Sequence, residues 1–89
     1  DDLLIEELAA THAGAAGSSW ELLMRGRHLL LADTDNSLRA SRPLLEQAVV
    51  LNPKSGLALA ALAELYNILA ARELGERDLQ RRSIYLLQR

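Results

Sequence analysis

The chain is 89 residues long, sets twelve acidic side chains against ten basic ones for a net charge of -2, and contains neither cysteine nor phenylalanine. That length makes one domain at most, burying roughly 60% of its unfolded surface, so its stability is expected to be marginal without help from a partner or a larger chain. Nucleic acid is excluded as the main ligand, because phosphate binding needs a basic footprint, and the missing cysteines exclude a disulfide framework or a thiolate metal site.

Apolar residues reach 49%, yet the only aromatics are Trp20, Tyr66 and Tyr85, so the core must be built from Leu and Ala. Such a composition favours closely packed helices over a sheet. The charge is uneven. Residues 1–10 hold Asp1, Asp2, Glu6 and Glu7 with no base, while residues 72–89 are rich in arginine. An acidic head and a basic tail are able to meet within one chain or between two. The longest apolar stretch, Leu57 to Ala71, is interrupted by Glu64 and Asn67. It is shorter than the roughly 20 residues of a membrane-spanning helix, and no signal peptide is recognised, so a soluble, cytoplasmic chain is expected.

In chain order, residues 1–10 read as a short amphipathic helix with Leu4, Ile5 and Leu8 at helical spacing. A helix under about 12 residues is marginal in water, so this one must dock on something. Residues 11–17, THAGAAG, read as a flexible linker, and the following Gly-Ser-Ser suits a junction between a tethered helix and a domain over residues 18–89. Ser18 and Glu21 form a capping-box pattern that opens a helix to about Leu31, with Trp20, Leu23, Met24, Leu30 and Leu31 expected on its buried face. Gly26 costs about 1 kcal/mol of helix propensity against Ala, so it marks a place where a neighbouring helix comes close.

Residues 32–36, ADTDN, form a turn, and Asp35 or Asn36 is expected to cap the next helix, which ends before Asn52-Pro53. Pro43 must kink that helix or mark its true first turn, and Leu44, Leu45, Ala48, Val49 and Leu51 supply its buried face. Ser55 caps a long central helix that reaches about Leu74 and stops at Gly75. It is apolar except for a narrow stripe of Ala60, Glu64, Asn67 and Ala71. A last helix starts at Asp78 and buries Leu79, Ser83 and Leu86, with Ile84 and Leu87 alongside.

An internal period emerges at an offset of 39, where Trp20-x-x-Leu23-Met24-x-x-Arg27 aligns with Leu59-x-x-Leu62-Ala63-x-x-Tyr66. Between them lies Ser41-x-x-x-Leu45-x-x-Ala48-x-x-x-x-Pro53. Together these resemble the tetratricopeptide repeat, whose pattern is Trp-x-x-Leu-Gly-x-x-Tyr, then Ala-x-x-x-Phe, then Pro over about 34 residues. Met24 stands where that family has a small residue and Arg27 where it has Tyr. The likeness covers residues 18–75 well and 76–89 poorly. It implies an all-α fold of antiparallel helix-turn-helix hairpins in a right-handed stack, with about four helices besides the short N-terminal one. The segments ELLMRGRHLLL and LLEQAVVLNPKSGLALAALAELY also resemble tetratricopeptide regions of bacterial winged-helix transcriptional activators and of some bacterial adenylate cyclases. That likeness implies a regulatory or assembly module.

By the family pattern the first helix of each unit lines a concave groove, where Glu21, Arg25 and His28 of the first unit and Glu64 and Asn67 of the second would face a partner peptide or helix. The same residues also read as a solvated face with an ordinary Glu-Arg pair worth a few tenths of a kcal/mol. His12 and His28 stand far apart without cysteine, which points to no metal and no other cofactor. No paired carboxylates or Ser-His-Asp set lie at recognisable spacing, so no catalysis is expected. Asp35-Asn36-Ser37-Leu38 resembles the Asp-Ser-Leu phosphopantetheine site of acyl carrier proteins, but a continuous apolar helix precedes it where that family has a long loop. The expected function is protein recognition, with a partner helix, a peptide or a second copy as ligand. The rival readings are a structural segment of a larger helical repeat and a regulatory domain that senses a small molecule.

Overall fold

The computed structural model describes residues 3–12 and 18–88, and over them the chain is all-helical, with no strand among the described residues. Five helices follow in order: α1 (Leu3–Thr11), α2 (Ser19–Ala32), α3 (Asp35–Leu51), α4 (Gly56–Ala71) and α5 (Leu79–Gln88). Among the described residues no helix is long and apolar enough to cross a membrane.

Local chemistry sets most of these boundaries. Ser18 caps α2 by accepting the Glu21 backbone N–H at 3.0 Å, and Ser55 caps α4 by accepting that of Ala58 at 3.2 Å. The cap of α3 is Thr34, one residue before the expected Asp35 or Asn36, because Thr34 and Ser37 complete a reciprocal capping box with both bonds at 2.9 Å. The Ser37 hydroxyl is therefore engaged in closing a helix end. Pro43 sits in the interior of α3, with no separate lead-in at residues 37–41. The central helix ends at Ala71 instead of Leu74. Arg72 closes it and Glu73 takes the left-handed conformation (φ 56°) expected of a glycine, while the Leu74 N–H reaches back to the Leu69 carbonyl at 2.8 Å. Gly75 has another reason to be small: a Cβ there would lie 2.3 Å from Leu79 Cδ1.

Two hairpins are stacked. α2 packs chiefly on α3 and α4 on α5, with α3 and α4 joining the pairs. The first hairpin is antiparallel, since Ser19 at the start of α2 donates to the Ala48 carbonyl near the end of α3, and Ser41 donates to the Gly26 carbonyl further in. In both hairpins a buried serine of the second helix ties the main chain at the eighth residue of the first. Ser41 bonds Gly26 at 2.8 Å and Ser83 bonds Ala63 at 2.7 Å. Gly26 is the small crossing residue, as expected from its cost in a helix: a Cβ there would lie 2.5 Å from Leu45 Cδ2. The hairpins thus superpose Gly26 on Ala63 and cap Ser18 on cap Ser55, an offset of 37, two residues short of the sequence alignment that paired Met24 with Ala63.

The core is Leu and Ala with one aromatic, the fully buried Tyr66. Leu23, Leu45, Ala48, Leu59, Leu62 and Ala63 are buried as expected, as are Leu79, Ser83 and Leu86, and Pro53 is half-buried. Trp20 is not part of this core: it is 60% exposed. The buried stripe of α2 is Leu22, Leu23, Gly26 and Leu30, and at 100° per residue Trp20 and Leu31 fall more than a quarter turn away from it. Leu51, Ile84 and Leu87 are likewise exposed.

The short N-terminal helix docks. α1 buries Leu4, Ile5 and Leu8 and packs chiefly on α3. Each such side chain contributes on the order of 1.5–3 kcal/mol when fully buried, which supplies what a nine-residue helix lacks alone. Of the expected linker, Thr11 belongs to α1 and His12 follows it in direct contact with the domain, whereas residues 13–17 lie outside the described residues.

Candidate functional site

Two polar assemblies flank α4, one buried and one exposed. Glu46, on the inward face of α3, is 7% exposed at its side chain. Three donors converge on its carboxylate: His12 Nε2 at 2.8 Å, Arg42 Nε at 2.9 Å and the Tyr66 hydroxyl at 2.5 Å. A carboxylate only accepts, so the histidine nitrogen carries its hydrogen in this contact. Arg42 then turns the rest of its guanidinium to Glu76 in a two-pronged pair, at 2.6 and 3.1 Å, and lies 5.5 Å from the centre of the Tyr66 ring.

These contacts shift their members in opposite directions. Burial opposes the Arg42 cation, but the hydrogen bonds and charges of Glu76 and Glu46 outweigh it and hold the guanidinium above its usual value. Burial, then the Glu46 charge and hydrogen bond, push the Tyr66 phenol well above its ordinary range. The hydrogen bond from Arg42 holds the Glu76 carboxyl below the usual carboxylate range. Sequence reasoning did not find this network. Apart from the Arg42–Glu46 pair at i, i+4, its links join residues 34 and 20 positions apart, and nothing local marks a lone Glu in a Leu-rich helix as buried. Arg82 extends the polar edge, pairing with Asp78 at 3.1 Å and with Glu7 of α1 at 3.4 Å. The acidic head and basic tail therefore do meet within one chain.

On the other side of α4 the stripe Ala60, Glu64, Asn67 and Ala71 is exposed, as are Glu21, Arg25 and His28 on α2. The structure gathers these residues only in part. Glu64 shares a depression of about 310 Å³ with Leu57, Ala60, Ala61 and Arg27. Asn67 lines a separate one of about 360 Å³ with Ile68, Ala70, Ala71 and Gln80. The cation of α2 that faces Glu64 is thus Arg27, while Glu21, Arg25 and His28 lie roughly 100–160° further around the helix at 100° per residue. Leu57, 57% exposed, and Trp20 occupy the same position, second in the first helix of each hairpin, so both hairpins show a large apolar side chain at one end of this face.

Among the described residues no group of three or more His, Cys, Asp or Glu side chains is placed to hold a metal ion. No protein-family model matches the chain, and no curated protein or solved structure matches it significantly.

Proposed function

We propose that the chain is a non-catalytic, tetratricopeptide-like protein-interaction module that binds a partner helix or peptide across the exposed faces of α2 and α4. One observation carries this reading. Arg27 of α2 and Leu57, Ala60 and Glu64 of α4 line one depression, and Glu64 and Asn67 stand exposed on a helix that is otherwise apolar. Exposed polar groups flanked by an exposed Trp and Leu suit recognition, because aromatic and aliphatic anchors supply most binding energy while polar neighbours set register. Glu21, Arg25 and His28 form the outer rim of this surface, and Arg27 joins its centre. We read the module as part of a cytoplasmic transcriptional regulator that acts through protein contacts, a reading supported by its resemblance to the C-terminal regions of bacterial winged-helix activators.

A panel of helical and extended peptides titrated onto the chain tests the groove. Binders are expected to lose at least about tenfold in affinity in the Glu64→Ala/Asn67→Ala variant, which corresponds to about 1.4 kcal/mol. Unchanged binding with an intact circular dichroism spectrum would sink the groove. A second reading, an internal segment of a longer helical stack, is favoured by Ile84 and Leu87, which are 52% and 65% exposed on α5 where a following unit would cover them.

A further inference from the structure

The face on which α1 rests lies across α4 from the proposed groove, since Tyr66, which reaches Glu46, is about 200° around the helix from Glu64. Its occupant is visible, and so is the chemistry that holds it. α1 presents apolar side chains at three positions, Leu4, Ile5 and Leu8, and an acid at Glu7 that meets Arg82, and His12 just after it donates to Glu46. The occupant is also an incomplete fit. Beside Ala10 and Thr11 a depression of about 440 Å³ remains, walled by Arg42, Glu46, Glu76 and Arg82. Small side chains thus stand next to two cations and two anions that a longer polar side chain would reach.

We propose that this face is a docking site for an acidic amphipathic helix from another polypeptide, and that α1 is its resident occupant in cis. The helix it fits repeats the α1 pattern, apolar at i, i+1 and i+4 and acidic at i+3, with a long hydrogen-bonding side chain at the place of Ala10. A nine-residue helix has little stability of its own, so α1 is folded only while docked, and an undocked α1 leaves the face open. Covalent attachment to the domain gives α1 an effective concentration on the order of millimolar, which sets the threshold an incoming helix must exceed. The resident helix therefore excludes weak ligands and yields to those that also fill the depression.

The test uses the full chain and a fluorescent peptide of residues 1–12 followed by anisotropy. Leu8→Asp in the chain undocks the resident helix, and this variant is expected to bind the peptide at least about tenfold more tightly than the unaltered chain, by removing cis competition. A peptide carrying Leu8→Asp is expected not to bind. Glu7→Lys in the chain sets like charges against Arg82 without touching the core, and keeps the test open if Leu8→Asp misfolds; its gain is expected to be about two- to threefold. An Ala10→Gln peptide is expected to bind several-fold more tightly than the unaltered one. The proposal is overturned if the Glu7→Lys chain and a folded Leu8→Asp chain bind the peptide no better than the unaltered chain. It is equally overturned if light scattering shows the unaltered chain to be a dimer that exchanges α1 between copies.

Discussion

The two sides of α4 carry polar groups of opposite kind. On the Tyr66 side both carboxylate oxygens of Glu46 and all three guanidinium nitrogens of Arg42 hydrogen-bond within the chain, and no buried polar side-chain atom among the described residues lacks a partner. On the Glu64 side polar groups stand at the surface beside exposed apolar ones. A charge that is buried and fully paired contributes to choosing one packing arrangement. A charge left at the surface in an apolar helix is available to a partner. The contrast separates residues whose loss should unfold the domain from residues whose loss should leave it folded and silent.

The sharpest break in that contrast is Arg42→Ala. It removes the cation paired with Glu46 and with Glu76, and is expected to cost about 3–5 kcal/mol in chemical denaturation, the range for removing one partner of a buried pair. Alkaline pH acts next. The Tyr66 phenol is held above its ordinary value in the folded state, so its contribution is complete below about pH 10 and is lost as pH rises further, at about 1.4 kcal/mol per unit. Stability should thus fall as pH rises above about 10, and Tyr66→Phe should remove that share of the slope. At neutral pH Tyr66→Phe should cost about 1–2 kcal/mol, because Glu46 loses one of three donors. At the acid end Glu76 works in the opposite sense: its depressed pKa stabilises above about pH 4 and that share fades as pH falls through the folded value. Smallest of all, Glu64→Ala and Asn67→Ala should change stability by less than about 0.5 kcal/mol, as surface substitutions do. A large loss there would place both residues on the structural side of the comparison.

Much of the fold was legible because its signals are local. Ser18 and Ser55 cap the helices they precede, Gly26 marks the closest helix crossing, and Leu79, Ser83 and Leu86 read as the buried face of α5 at their spacing. Where several residues of one type compete, the sequence was less decisive. Asp33 to Asn36 are all good caps, and Thr34 won through its partnership with Ser37. Apolar character alone groups Trp20 with Leu23, Met24, Leu30 and Leu31, although the helical phase set by Leu22, Gly26 and Leu30 excludes it. The site was half legible for a related reason. Exposure of Glu64 and Asn67 follows from one helix, whereas the choice of Arg27 over Arg25 as the facing cation depends on how two helices roll against each other. Beyond the Arg42–Glu46 pair within α3, the Glu46 network needs α4 and the residue after α1 to be in place.

One consequence concerns what the molecule reports about itself. Its single tryptophan lies 60% exposed at the edge of the proposed groove, while the ring that senses the core is Tyr66. Indole emission should therefore shift little when the domain melts and markedly when a ligand covers α2. If the proposed groove binds, the indole becomes an optical probe of its occupancy that responds little to folding.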